Sequence, residues 1–252
     1  MIGSSKISII TPTLNAEKYL RQTIDSIAAQ QYQDLEYIIV DGGSTDQTLE
    51  IVKNSGIVTR WISEPDHGIG DAFNKGIRMT TGEIVGILNA DDYYHDGALV
   101  AVSEAVEAHP DCGIYYGDAM HEAFDGSYAF RFSPPRDLSY AIRYRMPLSH
   151  PAVFVRREAY IRHGAFDTRF KLAMDYELIM RMHCSGVRFH QIEHVLAHFR
   201  CGQDRRNDGL REVREISIKY GLPSLEAYGR YALACFKARF RFLKTVIRFT
   251  AN

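Results

Sequence analysis

Lys6-Ile7-Ser8-Ile9-Ile10-Thr11-Pro12-Thr13-Leu14-Asn15 is the stretch from which the fold can be read. Its first six residues form a short apolar run rich in β-branched side chains, stopped by Pro12, the pattern of a buried strand. The period then changes: between Ala16 and Gln30, Leu20, Ile24 and Ile27 fall on one helical face. The alternation repeats. Leu35–Val40 predicts a second strand closed by Asp41-Gly42-Gly43, and Ser44 or Thr45 can cap a helix reaching about Asn54. Val58–Ser63 predicts a third strand, Gly68–Met79 a third helix, Glu83–Leu88 a fourth strand and Asp96–His109 a further helix. Such alternation implies an α/β fold, a mostly parallel sheet with helices on both faces.

The rhythm changes after Gly113. Gly113–Tyr116 reads as a strand, and Ala119–Phe132 as a hairpin turning at Asp125-Gly126. Ser133–Ser149 is proline-punctuated and aromatic, closer to a substrate-covering segment than to a regular element. Ala152–Arg156 predicts a strand, Asp175–Cys184 an amphipathic helix, and Arg188–Gln191 and Val195–Arg200 two closing strands. No linker interrupts this, so residues 1–220 are expected to form one catalytic domain, with a nucleotide-binding half at about 1–118 and an acceptor half at about 119–220. Residues 221–252 form a tail. From Pro223 onward six basic residues (Arg230, Lys237, Arg239, Arg241, Lys244, Arg248) face one acid, Glu226, among several phenylalanines. A basic amphipathic helix of this kind suits an anionic membrane surface; a C-terminal helix packed on the domain is the alternative.

Composition excludes several classes. Thirty Lys and Arg against 31 Asp and Glu give a net charge of −1, which lends no support to nucleic-acid binding. Cys112, Cys184, Cys201 and Cys235 show no metal-ligand spacing and read as reduced thiols. No secretory signal precedes Lys6, and no apolar run approaches the roughly 18–20 residues of a membrane span. A cytoplasmic protein is expected, with peripheral contact at the inner face of the cell membrane through 223–252.

Ligands on parallel α/β sheets bind beyond the carboxyl ends of the strands. Here the first four strands end in Thr11-Pro12-Thr13-Leu14-Asn15, Asp41-Gly42-Gly43-Ser44-Thr45-Asp46, Glu64-Pro65-Asp66-His67-Gly68 and Asn89-Ala90-Asp91-Asp92. Each alone is ordinary turn chemistry; four in succession converge on one crevice. Adjacent carboxylates such as Asp91 and Asp92 repel unless protonated, solvated or neutralised. A hard divalent ion would neutralise them while taking its other ligands from phosphate and water.

Residues 6–92 closely resemble the N-terminal half of family 2 glycosyltransferases, inverting enzymes of the Rossmann-like GT-A fold. The resemblance is carried by Thr11–Asn15, Val40–Asp46, Gly68 with Ala72-Phe73-Asn74-Lys75-Gly76, and Asn89–Asp92, in the family's order and spacing. It implies transfer of a sugar from a nucleotide-sugar, UDP-linked as a rule, to a saccharide or lipid-linked saccharide in cell-surface polysaccharide assembly. By this resemblance Thr11 and Asp41 hold the nucleobase, Asp91 contacts the ribose, and Asp92 binds Mg²⁺ or Mn²⁺. The rest of the donor set is Pro12, Thr13, Asn15, Gly43, Ser44, Asp66, Gly68, Asn74, Asn89 and Ala90. Asn89 stands where many relatives have aspartate, and Phe73 where many have a basic residue. Gly164-Ala165-Phe166-Asp167 and Leu172-Ala173-Met174-Asp175-Tyr176-Glu177 resemble the acceptor-side motif, which makes Asp175 the general base, with Asp167 and Glu177 as fallbacks. His150 is a candidate on the acceptor side or near the donor phosphates, His198 a second candidate metal ligand, and His67 an exposed turn residue.

Competing readings lack their motifs. A P-loop NTPase needs G-x-x-x-x-G-K-[ST], and a dinucleotide-binding dehydrogenase G-x-G-x-x-G after the first strand. A sugar nucleotidyltransferase needs a basic, glycine-rich loop there. A non-catalytic nucleotide-sugar-binding or scaffold protein would not need Asp91, Asp92 and Asp175 together.

Overall fold

The computed structural model describes residues 5–200 and 209–235. β1 (Ile7–Thr13), α1 (Leu20–Ala28), β2 (Leu35–Asp41), α2 (Thr48–Lys53), β3 (Arg60–Ser63), α3 (Ile69–Met79) and β4 (Ile84–Ile87) alternate as the pattern predicts. Then come β5 (Tyr93–Tyr94), α4 (Ala98–Ala108), β6 (Ile114–Glu122), β7 (Ala129–Phe132), α5 (Leu138–Ile142), β8 (Val153–Arg156), α6 (Arg157–His163), α7 (Met174–Cys184), β9 (Phe189–Arg200) and α8 (Leu210–Lys219). Residues 224–235 are helical. The strands form one sheet in the order β3-β2-β1-β4-β8-β6-β9-β5, with β7 on β6. Its first four strands are parallel, β8 runs antiparallel between β4 and β6, and β6 and β9 are parallel again.

Alternation along each strand builds two cores. Ile7 and Ile9 of β1 and Tyr37 and Ile39 of β2 pack with Leu20, Ile24 and Ile27 of α1 and with α4. Ile10, Ile38 and Val40 point the other way, onto Phe73 and Ile77 of α3 and onto α7. Helices therefore cover both faces, and each fully buried isoleucine contributes about 1.5–3 kcal/mol.

Four local expectations are corrected. Ser44 and Thr45 do not cap α2: Asp46 Oδ1 accepts the Thr48 N–H at 2.9 Å, while Ser44 and Thr45 bond to Asp41 and Asn15. The two closing strands are one continuous β9. Its pairing with β6 shifts register between Tyr116 and Asp118, where a Cβ on Gly117 would lie 2.7 Å from Leu196 Cγ and 2.8 Å from the His194 carbonyl oxygen. Ser133–Ser149 contains α5, capped by Asp137, which accepts the Tyr140 N–H. β5 and α6 were not anticipated; two residues are too few to show a period. In the tail, Lys237, Arg239, Arg241, Lys244 and Arg248 lie outside the described residues, as does Cys201. Among the described residues no helix is long and apolar enough to cross a membrane, and Cys112, Cys184 and Cys235 are free.

α3 lies close on the sheet because Gly76 has no side chain; a Cβ there would run into the Ile10 side chain. Gly76→Ala is expected to cost about 1–3 kcal/mol by overpacking. Thermal unfolding followed by circular dichroism should show a transition lower by several degrees with an unchanged folded spectrum.

Candidate functional site

The ends of β1 and β4 and the segment before α3 open onto a crevice of about 870 Å³, a size suited to a ligand larger than a simple sugar. Pro12, Thr13, Asn15, Lys18 and Tyr19 line one side, Asp66, Gly68 and Ile69 another, and Asn89, Ala90 and Asp91 the floor. Phe124, Phe199 and Arg200 come from the second half of the chain.

Asp41 lies behind this wall, fully buried. Its Oδ1 accepts from Thr13 Oγ1 (2.9 Å) and Ser44 Oγ, and its Oδ2 from Gly43 N (3.0 Å), Ser44 N (2.9 Å) and Ser63 Oγ (2.7 Å). Burial alone would raise its pKa, but donors from Ser44, Ser63 and Thr13 outweigh that and hold it below the usual carboxylate range. Ser44 Oγ also accepts the Asn15 N–H at 2.8 Å, and Asn15 Oδ1 accepts the Thr45 N–H at 2.9 Å. The β1 and β2 loops are thus locked together, with Asn15 (φ 49°) and Gly43 (φ 92°) in the left-handed region. A Cβ on Gly42 would sit 2.7 Å from Asp66 Oδ2 and displace that carboxylate from its place in the crevice wall.

Asp91 and Asp92 occupy different environments. Asp91 lines the crevice, whereas Asp92 is fully buried, accepting from Arg200 N at 2.9 Å and Asn89 Nδ2 at 3.2 Å. Burial first, and then the charge of Asp91, push the Asp92 carboxyl well above its ordinary pKa. Asn89 Oδ1 is buried with no hydrogen-bond partner. Arg200 stacks on Tyr93 and Tyr19, with its Cζ 4.8 and 5.1 Å from the ring centroids, and donates from Nη1 to the Asp91 carbonyl oxygen at 2.9 Å.

Asp175 stands in the first turn of α7, whose Met174 packs against Gly70 beside the crevice residues Gly68 and Ile69. Burial raises its carboxyl to about 6, helped by the charge of Glu212 and opposed by the Tyr176 N–H. Glu212, which the sequence reading passed over, accepts three successive backbone N–H groups, from Lys171, Leu172 and Ala173, at 2.8–2.9 Å. It holds the loop that delivers Asp175.

A model of Glycosyl transferase family 2 matches residues 8–170. The chain belongs to this family. A PGL/p-HBAD biosynthesis glycosyltransferase of Mycobacterium bovis is 31% identical over 200 residues, covering 77% of this chain and 76% of that protein. Similar solved structures are Staphylococcus aureus TarS 1-349 in complex with UDP-GlcNAc and a Pyrobaculum calidifontis mannosyltransferase in complex with GDP-Man and Mn²⁺. Each is 21% identical with a TM-score of 0.67; TarS covers 90% of this chain and 70% of its own, the mannosyltransferase 99% and 81%. These two show the fold, GT-A type; the family match and the relative identify the chain as a glycosyltransferase.

Several residues expected in this glycosyltransferase's site are placed elsewhere. Thr11 is fully buried and accepts from Tyr37 Oη at 3.2 Å. Asn74 is committed to a backbone clamp, donating to the Phe166 carbonyl and accepting the Phe166 N–H, both at 2.9 Å. It joins α3 to the segment before α7 and does not line the crevice. His198 does not either: its Nε2 lies 3.0 Å from His95 Nδ1, and its ring stacks on Tyr93 at 4.2 Å. His150 stacks on Phe73 and meets Phe166 edge-on with its Nε2 unpartnered, and burial lowers its pKa to about 4, leaving a neutral ring in an aromatic setting. The fallback bases are also committed. Asp167 pairs with Arg169 at 2.6 Å, which lowers its pKa to about 2. Glu177 is buried among Arg181, Lys219 and Tyr220. His67 is an exposed turn residue, as expected.

Asn74→Ala strands two buried backbone groups at about 1–3 kcal/mol. Chemical denaturation should register that loss, while UDP affinity, measured by calorimetry, should stay within about twofold because the side chain faces away from the crevice.

Proposed function

We propose that this glycosyltransferase inverts the anomeric centre by direct displacement, moving a sugar from a UDP-sugar to a saccharide or lipid-linked saccharide hydroxyl with the help of Mg²⁺ or Mn²⁺. The observation that carries this reading is a division of labour between two carboxyls: Asp91 in the crevice, and Asp175 poised near neutrality on the adjoining helix. The donor residues act in two layers. Thr13, Asn15, Asp66, Gly68, Asn89 and Asp91 face the nucleotide, while Thr11, Asp41, Gly43 and Ser44 hold the loops that present them.

The residues fit a hard cation, with the ligand shifted from the expected Asp92 to Asp91. Asp92 is enclosed, whereas Asp91 reaches the crevice, with Asn89 lining it beside Ala90. Among the described residues no group of three or more His, Cys, Asp or Glu side chains could hold a metal, so phosphate and water would complete the shell. The chemistry supplied there is neutralisation of the diphosphate as it leaves. Asp175 takes the proton of the attacking hydroxyl. On this reading residues 1–118 bind the donor and 119–220 serve the acceptor, in cell-surface polysaccharide assembly. The tail from 223 supplies a peripheral contact with the inner face of the cell membrane, where exposed Leu225, Tyr228 and Leu233 begin it.

Calorimetry with UDP and GDP, in Mn²⁺ and then in EDTA, tests the donor site. UDP is expected to bind in Mn²⁺ and to be lost in EDTA, and Asp91→Asn to weaken binding at least tenfold; metal-independent binding would sink the cation role. Asp175→Asn should keep donor binding and lower kcat by roughly 10²–10⁴-fold. Because protonated Asp175 cannot act as a base, wild-type transfer should fall as pH drops through about 6. An Asp175→Asn enzyme working at the wild-type rate would remove Asp175 from the mechanism.

A further inference from the structure

The helix that carries Asp175 starts without a cap of its own. Its N-cap is Ala173, which has no side-chain acceptor where Ser, Thr, Asp or Asn is usual. The acceptor comes from another helix. Glu212, in the first turn of α8, takes the Lys171 N–H on Oε1 at 2.9 Å and the Leu172 and Ala173 N–H groups on Oε2 at 2.8 Å. Asp175 follows two residues after the last of these. Lys171 also reaches the crevice wall: its Nζ donates at 3.1 Å to the carbonyl oxygen of His67, which lies between Asp66 and Gly68. The segment that delivers Asp175 is thus held by Glu212 and tied through Lys171 to the crevice.

We infer that Glu212 is a positioning residue for the transfer step: it fixes where Asp175 stands relative to the crevice and sets a negative charge near it. The inference rests on Asp175 being the base, as proposed above. Reach and charge act separately. Three successive N–H groups aimed at one carboxylate form a small anion cradle, filled here by a residue 39 to 41 positions away. The charge acts on Asp175 itself: burial does most to raise that carboxyl, and Glu212 adds to it. Other charges around this corner are paired, Asp167 with Arg169, Glu177 with Arg181 and Lys219, Arg211 with Glu215, and Asp71 with Lys75. Among the described residues Glu212 has no such partner, so backbone alone answers its charge. Glutamine separates the two properties: its oxygen can accept two of the three N–H groups, its amide cannot accept the third, and the charge is gone. Alanine removes both. α8 keeps its place in either variant, because Ile216 is fully buried, Ser217 Oγ meets Tyr176 Oη at 3.0 Å, and Lys219 and Tyr220 both bond to Glu177.

The test follows the Asp175 carboxyl by ¹³C NMR in protein labelled at aspartate Cγ, with Asp175→Asn to assign the signal. Wild-type Asp175 is expected to titrate near 6. Glu212→Gln should move that midpoint down by about 0.5 pH unit or more, since a nearby negative charge has been removed. Glu212→Ala should in addition speed hydrogen exchange at the Lys171–Ala173 amides at least tenfold, with UDP affinity within about twofold of wild type. Transfer is read as UDP released from UDP-glucose, UDP-galactose and UDP-N-acetylglucosamine with methyl glycosides as acceptors. There Glu212→Ala should lower kcat by roughly ten- to a hundredfold at unchanged donor KM, and the acid limb of Glu212→Gln should shift with its titration. The inference is overturned if Glu212→Gln leaves the Asp175 midpoint in place, or if Glu212→Ala leaves exchange at the loop unchanged; these two measurements decide it whichever donor the enzyme uses. An Asp175→Asn enzyme that transfers at the wild-type rate would instead bring down the base assignment beneath it.

Discussion

A single buried charge organises the loops around the crevice of this molecule. Removing the Asp41 carboxylate from water costs several kcal/mol, and five donors from three parts of the chain offset that cost. Hydrogen bonds to a charged group are worth about 1.5–3 kcal/mol each, so the set holds only while every donor stays in place. The carboxylate therefore fixes the end of β1 through Thr13, its own turn through Gly43 and Ser44, and the end of β3 through Ser63. Ser44 passes the constraint on to Asn15. The loops that line the crevice are set before any ligand arrives, the condition for binding without a large ordering cost.

The second half of the chain uses the same device at longer range. Asp92 accepts the backbone N–H of Arg200, 108 residues away, and Glu212 accepts three N–H groups from the loop before α7. In both cases an acidic side chain from one part of the chain immobilises the backbone of another. Arg200 is brought to the crevice this way, and Asp175 is brought to the helix start next to it. Burial does most to raise the Asp175 carboxyl, and the negative charge of Glu212 adds to it, so the residue that positions the loop also contributes to the basicity of its neighbour.

Most of the first half was legible because buried parallel strands and amphipathic helices differ in period, and both are long enough here to show it. β5 could not be read from two residues, and β9 looked like two strands because its bulge breaks the alternation. At the site, the motifs located the crevice but did not say which polar residues face it. Thr11, Asp41, Asn74 and Asp92 have the composition of ligand-binding groups, yet their atoms are spent on Tyr37, on the Ser44 turn, on Phe166 and on Arg200. For Thr11, Asn74 and Asp92 that distinction depends on partners 26 to 108 residues away. Glu212 escaped notice for the same reason: nothing local marks a helix-surface glutamate as a loop clamp.

The Asn89–Asp92 turn shows why neighbouring acids need not share a role. Two carboxylates facing one crevice would compete for the same cation and repel in its absence. Here Thr23 Oγ1 donates to the carbonyl oxygens of Ala90 and Asp92, fixing the turn so that Asp91 faces out and Asp92 faces in. The inner acid is then free to serve as an acceptor for backbone, and its burial beside Asp91 is tolerable because Asn89 and Arg200 both donate to it. Asn89 itself, an amide and not a third acid, lowers the local negative charge and keeps a buried Oδ1 without a hydrogen-bond partner. A site built this way gains geometric definition from Asp92 and charge from Asp91, and loses the repulsion that three acids in four residues would bring.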